Sequence, residues 1–242
     1  MKKLIVSNKN KIIKEIIKLK EKKEREKTGK FYVEGERIID EIPSSIKIEN
    51  YIFSDSFYNQ LIDKNKYNRA SHIIIEDNLF KKISDTLNPQ GIIAICNMPK
   101  NSIKDIKLKK DSCFVILDRV CEPGNVGTII RTAEALGLDG IFLSKGCVDL
   151  YNDKVIRATM GSIFHIPIIT NCDLTNLINY FKNNNIDIIC TNLEESKPPY
   201  EINLKKSLAI IIGNEANGVL DEYKNISTDL VKIPMIGNVE SM

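Results

Sequence analysis

"LDRVCEPGNVGTIIRTAEALGLDGIFLS", residues 117–144, decides how this chain is read. An apolar run, Cys113 to Leu117, enters the stretch and another, Ile141 to Leu143, leaves it. Between them lie a Gly-Asn-Val-Gly turn and apolar residues at helical spacing, so the stretch is a strand–turn–helix unit. Asn125, following Pro123-Gly124, suits the N-cap of the helix. At about 100° per residue, Val126, Ile129, Ile130, Ala133 and Leu136 share one apolar arc. Arg131 falls nearly opposite that arc, beside Thr128 and Thr132, and is expected to meet solvent, a ligand or another subunit.

Working outward, near-continuous apolar strands alternate with helical patterns from Cys113 onward: "CFVIL", "GIFLS", "IFHIPII", "IDIICT", "LAIIIG" and "DLVKIPMIG". Such strands predict a parallel sheet covered on both faces, with ligands at the carboxyl ends of the strands. Before it, "KFYVEGERIIDEI", "ENYIFS", "FYNQLID", "SHIIIE", "NLFKKISD" and "GIIAIC" make an α/β unit over residues 1–96. The polar stretch 97–112 reads as a linker, and 113–242 as the second domain. A chain of 242 residues, 43% hydrophobic, accommodates two modest domains.

The net charge of +3 hides an asymmetry, because residues 1–30 hold twelve Lys/Arg against four Glu. A basic end on a mildly acidic body suggests a polyanionic partner; a solvated lysine-rich helix is the competing reading. The six cysteines, Cys96, Cys113, Cys121, Cys147, Cys172 and Cys190, have neither metal-ligand nor paired spacing. Most of them sit in or beside apolar runs and read as small buried hydrophobes, in a soluble protein of a reducing compartment, and no segment is apolar enough for a membrane span. His165 reads as a core histidine in a strand and His72 as structural; "PPY" at 198–200 is a turn, and Glu215 can cap the following helix.

The Gly124-Asn-Val-Gly127 turn is neither a P-loop nor a dinucleotide fingerprint, and no acidic residue completes the latter, which disfavours an oxidoreductase. Three stretches together point elsewhere. "EPGNVGTIIRTAEALG", "KVIRATMGSIFHIPI" (154–168) and "LAIIIGNEANGVLDE" ahead of "VKIPMIGNVESM" resemble, in order and separation, the motifs of the SpoU family of RNA ribose 2′-O-methyltransferases of the SPOUT superfamily. The N-terminal half resembles that family's substrate-binding domain of L7Ae-like α/β fold.

The resemblance implies an α/β trefoil-knot methyltransferase domain that binds S-adenosylmethionine, acts on ribosomal or transfer RNA with ribosomal RNA favoured, and works as a cytoplasmic homodimer without a metal. Arg131, Asn125, Glu215 and Ser241 match the family's catalytic positions. Thr191, Leu193, Gly213, Ile233, Met235 and Met242 match the cofactor pocket, Met242 standing where leucine is usual. The family continues beyond this point through an asparagine into a helix that completes the knot. A polypeptide ending at Met242 is accordingly expected to bind the cofactor weakly. The alternative function is a non-catalytic RNA-binding protein that retains the fold.

Overall fold

The computed structural model describes residues 4–194 and 196–236. They group into two compact units: the chain up to Lys100 with Asp149–Phe164, and Asn101–Val148 with the chain from His165 onward.

The first unit opens with α1 (Lys11–Leu19), started by Asn10, whose side chain accepts the Ile12 N–H at 3.0 Å. Its apolar stripe works as the spacing predicts, with Ile13, Ile16 and Leu19 buried. Lys20-Glu21 separates α1 from α2 (Lys22–Thr28), which ends at Gly29 in the left-handed conformation, φ 64°. A sheet follows, made of β1 (Lys30–Glu34), β2 (Ile48–Ser54), β3 (Ser71–Ile75) and β4 (Ile92–Asn97) in the order β1-β4-β2-β3. Only β2 and β3 pair in parallel; β4 is antiparallel to both of its neighbours. Helices α3 (Glu36–Asp40), α4 (Asp55–Gln60) and α5 (Asp77–Ile83) connect the strands. One core joins Ile13, Ile16 and Leu19 of α1 to Leu79, Phe80 and Ile83 of α5 over Ile52, Ile93 and Ile95.

Residues 149–164 carry α7 (Asp153–Thr159) and pack on β1, where Phe31 meets Tyr151 at 4.5 Å and Phe164 at 6.5 Å between ring centroids. The helix ends at Thr159, with Met160 (φ 53°) and Gly161 (φ 101°) turning the chain. A Cβ on Gly161 would lie 2.7 Å from Glu41 Cγ, so the position has no room for a side chain.

The second unit is a parallel sheet of β5 (Cys113–Leu117), β6 (Gly140–Ser144), β7 (Ile168–Cys172), β8 (Asp187–Thr191), β9 (Leu208–Ile212) and β10 (Asp229–Val231), as the apolar runs predict. Helices α6 (Pro123–Ala135), α8 (Leu174–Asn183) and α9 (Asp221–Asn225) connect them. The order β10-β8-β9-β5-β6-β7 reverses direction beside β5. On one face Phe114, Ile116, Phe142, Ile188 and Ile211 pack against Leu177, Ile178 and Phe181 of α8. Val115, Leu117, Ile141 and Leu143, which alternate with them, are buried as well, so both faces are covered. Residues 97–112, which read as a linker, contribute to this core: Ile106 is buried in it, and Ile103 and Leu108 pack against it.

Three expectations need correcting. His165 is not in a strand: Ile163-Phe164 form a 3-10 turn, β7 starts only at Ile168, and the His165 side chain is exposed. Pro167 lacks an N–H and sits ahead of the strand, which accounts for the late start. Leu136 is 72% exposed because it lies at the margin of the apolar arc and the helix stops at Ala135. Asn125 is not the N-cap, which is taken up below with the site. His72 is structural as expected, its Nε2 lying 2.7 Å from the Tyr67 carbonyl among the rings of Tyr51, Phe53 and Tyr58. The six cysteines are free; Cys96 and Cys190 are buried while Cys121 is exposed, and burial pushes the Cys96 thiol up to about 12.

Phe181 is fully buried and stacks on Phe114 at 4.9 Å. Phe181→Ala should therefore cost about 3–5 kcal/mol, read as a lower denaturation midpoint with little change in slope.

Candidate functional site

Four adjacent parallel strands, β10, β8, β9 and β5, end side by side at their carboxyl ends. The loops that leave them begin at Lys232, Asn192, Gly213 and Asp118. The reversal beside β5 makes this edge a topological switch point, where a crevice opens because successive helices leave on opposite faces.

The loop after β5 is built around a buried carboxylate. Asp118 is 1% exposed, and its Oδ2 accepts the Leu220 N–H at 3.0 Å. Arg119 grips the same carboxylate with Nε and Nη2, each at 3.0 Å, and Nη2 also reaches the Gly218 carbonyl at 3.2 Å. To do so Arg119 adopts φ 55°, unusual for a side chain of this size, and its N–H is held by Ser144 Oγ at 2.9 Å. A buried carboxylate needs such partners, since an unpaired charge there would be costly.

The loop after β9 is equally fixed. Asn214 Oδ1 accepts N–H groups from Ala216 and Asn217 at 3.1 and 3.0 Å, and its Nδ2 donates to the Arg119 carbonyl at 2.9 Å. Gly213 is required by close approach: a Cβ there would lie 2.2 Å from the Gly218 carbonyl carbon. The result is a short hairpin-like turn that presents Glu215 toward the start of α6.

There Glu215 accepts three hydrogen bonds from the first loop, from Cys121 N at 3.3 Å, Glu122 N at 3.1 Å and Asn125 Nδ2 at 3.0 Å. This corrects two expectations. Helix α6 begins at Pro123, whose fixed φ and missing N–H suit the first helical position, so Asn125 lies inside the first turn and Glu122 is the N-cap. Glu215 does not cap the helix that follows it; it satisfies N–H groups at the entrance to α6. Burial tends to raise the Glu215 pKa, but bonds from its own N–H, Asn125, Glu122 and Cys121 outweigh this and hold the carboxyl below its ordinary value. It is therefore an anchored carboxylate and a poor proton acceptor at neutral pH.

Arg131 lies two turns into α6 on the exposed side, as the spacing predicts, and makes no hydrogen bond or ion pair among the described residues. Of the expected cofactor-lining positions, Thr191 ends β8 with its hydroxyl on the Ile211 carbonyl at 3.0 Å. Leu193 and Ile233, on loops leaving β8 and β10, are 56% and 58% exposed, and Met235 is half-buried. Exposed aliphatic side chains flanking backbone at strand ends suit the flat, largely apolar face of an adenosyl group, so the residues present fit S-adenosylmethionine. Ser241 and Met242, like the turn at Gly237-Asn238, lie outside the described residues. No cluster of three or more His, Cys, Asp or Glu among the described residues could hold a metal.

A hollow of about 330 Å³ at the opposite, amino-terminal edge is lined by Lys107, Lys109, Asp139 and His165 among others, and contains none of the expected site residues. Sequence reasoning missed Asp118, Arg119, Asn214 and Ser144. Only Asp118, a carboxylate directly after an apolar strand, left a signal that could have been used.

Two outcomes are expected. Asp118→Asn can still accept the Leu220 N–H but loses the charge that holds Arg119, and should lower stability by about 1.5–3 kcal/mol in denaturant unfolding. Because the folded Glu215 carboxyl titrates below its unfolded value, its contribution is complete above about pH 4.5 and is lost as pH falls through the folded value. Glu215→Gln should remove that part of the acid dependence of stability, measured by unfolding across pH.

The SpoU rRNA Methylase family model matches residues 112–242, and the MRM3-like substrate binding domain matches residues 10–94. The 23S rRNA (guanosine(2553)-2'-O)-methyltransferase RlmP of Bacillus subtilis (strain 168) is 35% identical over 241 residues, 99% of this chain and 94% of that protein. The crystal structure of an AdoMet-bound rRNA methyltransferase from Sinorhizobium meliloti superposes with a TM-score of 0.88 at 31% identity, covering 99% of this chain and 92% of that one. The SpoU methyltransferase AviRb from Streptomyces viridochromogenes, solved with AdoMet, shares the fold at a TM-score of 0.87 and 22% identity, over 97% of this chain and 92% of that one. With a family model spanning more than half its length and a relative 35% identical along nearly all of it, the chain belongs to the SpoU rRNA methylase family.

Proposed function

We propose that this protein transfers a methyl group from S-adenosylmethionine to a ribose 2′-hydroxyl in ribosomal RNA. The observation that carries the reading is the junction of Asn125 and Glu215, at 3.0 Å, which ties together two of the three family-like stretches at the switch point of the sheet. The rRNA methyltransferases among its relatives support ribosomal over transfer RNA as the substrate.

When bound, S-adenosylmethionine would supply an electrophilic methyl on a sulfonium centre. The protein's own task is then chiefly one of placement. The backbone at Thr191, Leu193, Gly213 and Ile233 to Met235 would hold the adenosyl group, with the side chains of Leu193 and Ile233 excluding water from it. Glu215, already engaged by three donors, fixes the entrance of α6 and thereby the helix that carries Arg131. An arginine side chain offers five N–H donors and no acceptor, which suits Arg131 to holding charge rather than to taking a proton. Its planar fork would hold an RNA phosphate and stabilise the negative charge that develops on the 2′-oxygen. Glu215, its oxygens already occupied by three donors, acts in placement, and the proton released from the 2′-hydroxyl as the methyl transfers passes to solvent water. Ser241 and Met242 would complete the site from the chain's last residues.

The exposed Arg131 also fits a homodimer in which a second copy approaches α6, as the family resemblance implies; sedimentation should then give twice the chain mass. Placement in the cytoplasm, where ribosomal RNA is processed in bacterial cells, is part of the same proposal.

Arg131→Ala should leave unfolding and S-adenosylmethionine affinity within about twofold while methyl transfer to ribosomal RNA falls by about 100-fold or more, the scale of removing one group that stabilises a developing oxyanion. Arg131→Lys keeps the charge without the fork and should recover little. Near-normal turnover of the alanine variant would return Arg131 to an ordinary solvated surface role.

A further inference from the structure

The basic surplus of the first thirty residues divides in the fold into a neutralised part and an open part. Arg25 is 3% exposed and belongs to the interior: its Nε donates to Asp149 Oδ2 at 2.9 Å, and its Nη1 caps the Leu19 and Lys20 carbonyls at 2.7 and 2.8 Å. Lys20 pairs with Asp85 at 2.8 Å and Lys30 with Glu15 at 3.0 Å. On α2, Lys22 lies near Glu26 and Lys27 near Glu24, whereas the exposed Lys23 makes no ion pair among the described residues.

Helix α1 differs. Lys11, Lys14 and Lys18 follow one another at i, i+3 and i+7 on the side opposite the buried Ile13, Ile16 and Leu19. All three are exposed and none pairs with a carboxylate among the described residues; Glu15, the acid of this helix, is committed to Lys30. Helix α5 packs beside α1 in the same core, and its exposed Lys81 and Lys82 likewise form no ion pair among the described residues. Helix α1 thus presents three exposed ammonium groups without an ion pair among the described residues, while on α5 Lys81 feels the charge of Asp77.

We propose that this lysine-bearing face of α1 binds the phosphate backbone of double-helical RNA. The row from Lys11 to Lys18 spans about 10 Å of helix, at about 1.5 Å per residue, long enough to meet successive phosphates. Lysines act as point charges and read no base edges, which suits an A-form duplex recognised by its shape and backbone. A membrane surface would need apolar residues on the free side of α1. The aliphatic side is instead consumed by the sheet, and Ile17, 47% exposed, is the large apolar side chain left outside. Protein partners favour aromatic and arginine anchors, and lysine is depleted from such interfaces. The inference rests on the reading of the chain as an RNA methyltransferase and adds where that RNA is held.

The test uses the full chain and a mixed-sequence RNA hairpin followed by fluorescence anisotropy across a salt series. The triple variant Lys11→Gln, Lys14→Gln, Lys18→Gln should lower affinity, and the slope of log K against log salt should become shallower by about 2 to 3. Lys22→Gln with Lys27→Gln, which removes self-neutralised charges, should leave the slope within error. These five lysines are exposed, so melting temperature and S-adenosylmethionine affinity should be unchanged in both variants. A wild-type protein that methylates ribosomal RNA, with a triple variant whose slope matches it, overturns the surface and leaves the function standing. Failure of the wild type to methylate ribosomal RNA counts against the function itself. Loss of binding to phosphatidylserine vesicles with RNA binding intact would also overturn the proposal.

Discussion

The carboxylate of Asp118 cannot be left alone in the interior, and much of the second unit's geometry follows from that constraint. At the end of β5 it is shielded from water and requires compensation from groups far away in sequence. It receives the Leu220 N–H from beyond β9 and the guanidinium of its neighbour Arg119, which turns back through a left-handed conformation to reach it. The same arginine holds the Gly218 carbonyl, so satisfying one buried charge welds two loops together. Those loops carry Asn125 and Glu215.

Glu215 extends this arrangement into chemistry. A carboxylate in a crevice invites assignment as a base, but geometry and electrostatics oppose it here. Its oxygens are occupied by two backbone N–H groups and an amide, and those donors favour the ionised form. The residue is better understood as a strut that fixes where α6 begins. Arg131, two turns further along α6, stays exposed and makes no hydrogen bond or ion pair among the described residues.

The first unit shows how misleading a charge count becomes without a fold. Twelve basic residues in thirty suggest one diffuse cationic arm. In the structure Arg25 is an interior strut to Asp149, several lysines are paired within or between elements, and the free charge collects on the outer face of α1 beside α5. Charge matters to a partner only where it is both exposed and uncompensated.

The sequence by itself determined the parallel sheet of the second unit, because apolar runs buried on both faces favour that arrangement, and the boundaries of β5, β6, β8 and β9 survive almost unchanged while β7 is displaced toward Cys172. It also determined the outward direction of Arg131, since helical periodicity leaves no alternative once Val126, Ile130 and Ala133 are buried. The three family-like stretches were legible as motifs for the same local reason. Tertiary structure decided whatever depends on partners distant along the chain. Asn125 looked like a cap because capping is local, yet Glu215, ninety residues away, claims it. His165 looked buried because its neighbours are apolar, yet the chain turns before Pro167 and turns it outward. Asp118, Arg119 and Asn214 escaped notice because their roles exist only when strand order places β9 beside β5, and no periodicity within either segment encodes that adjacency.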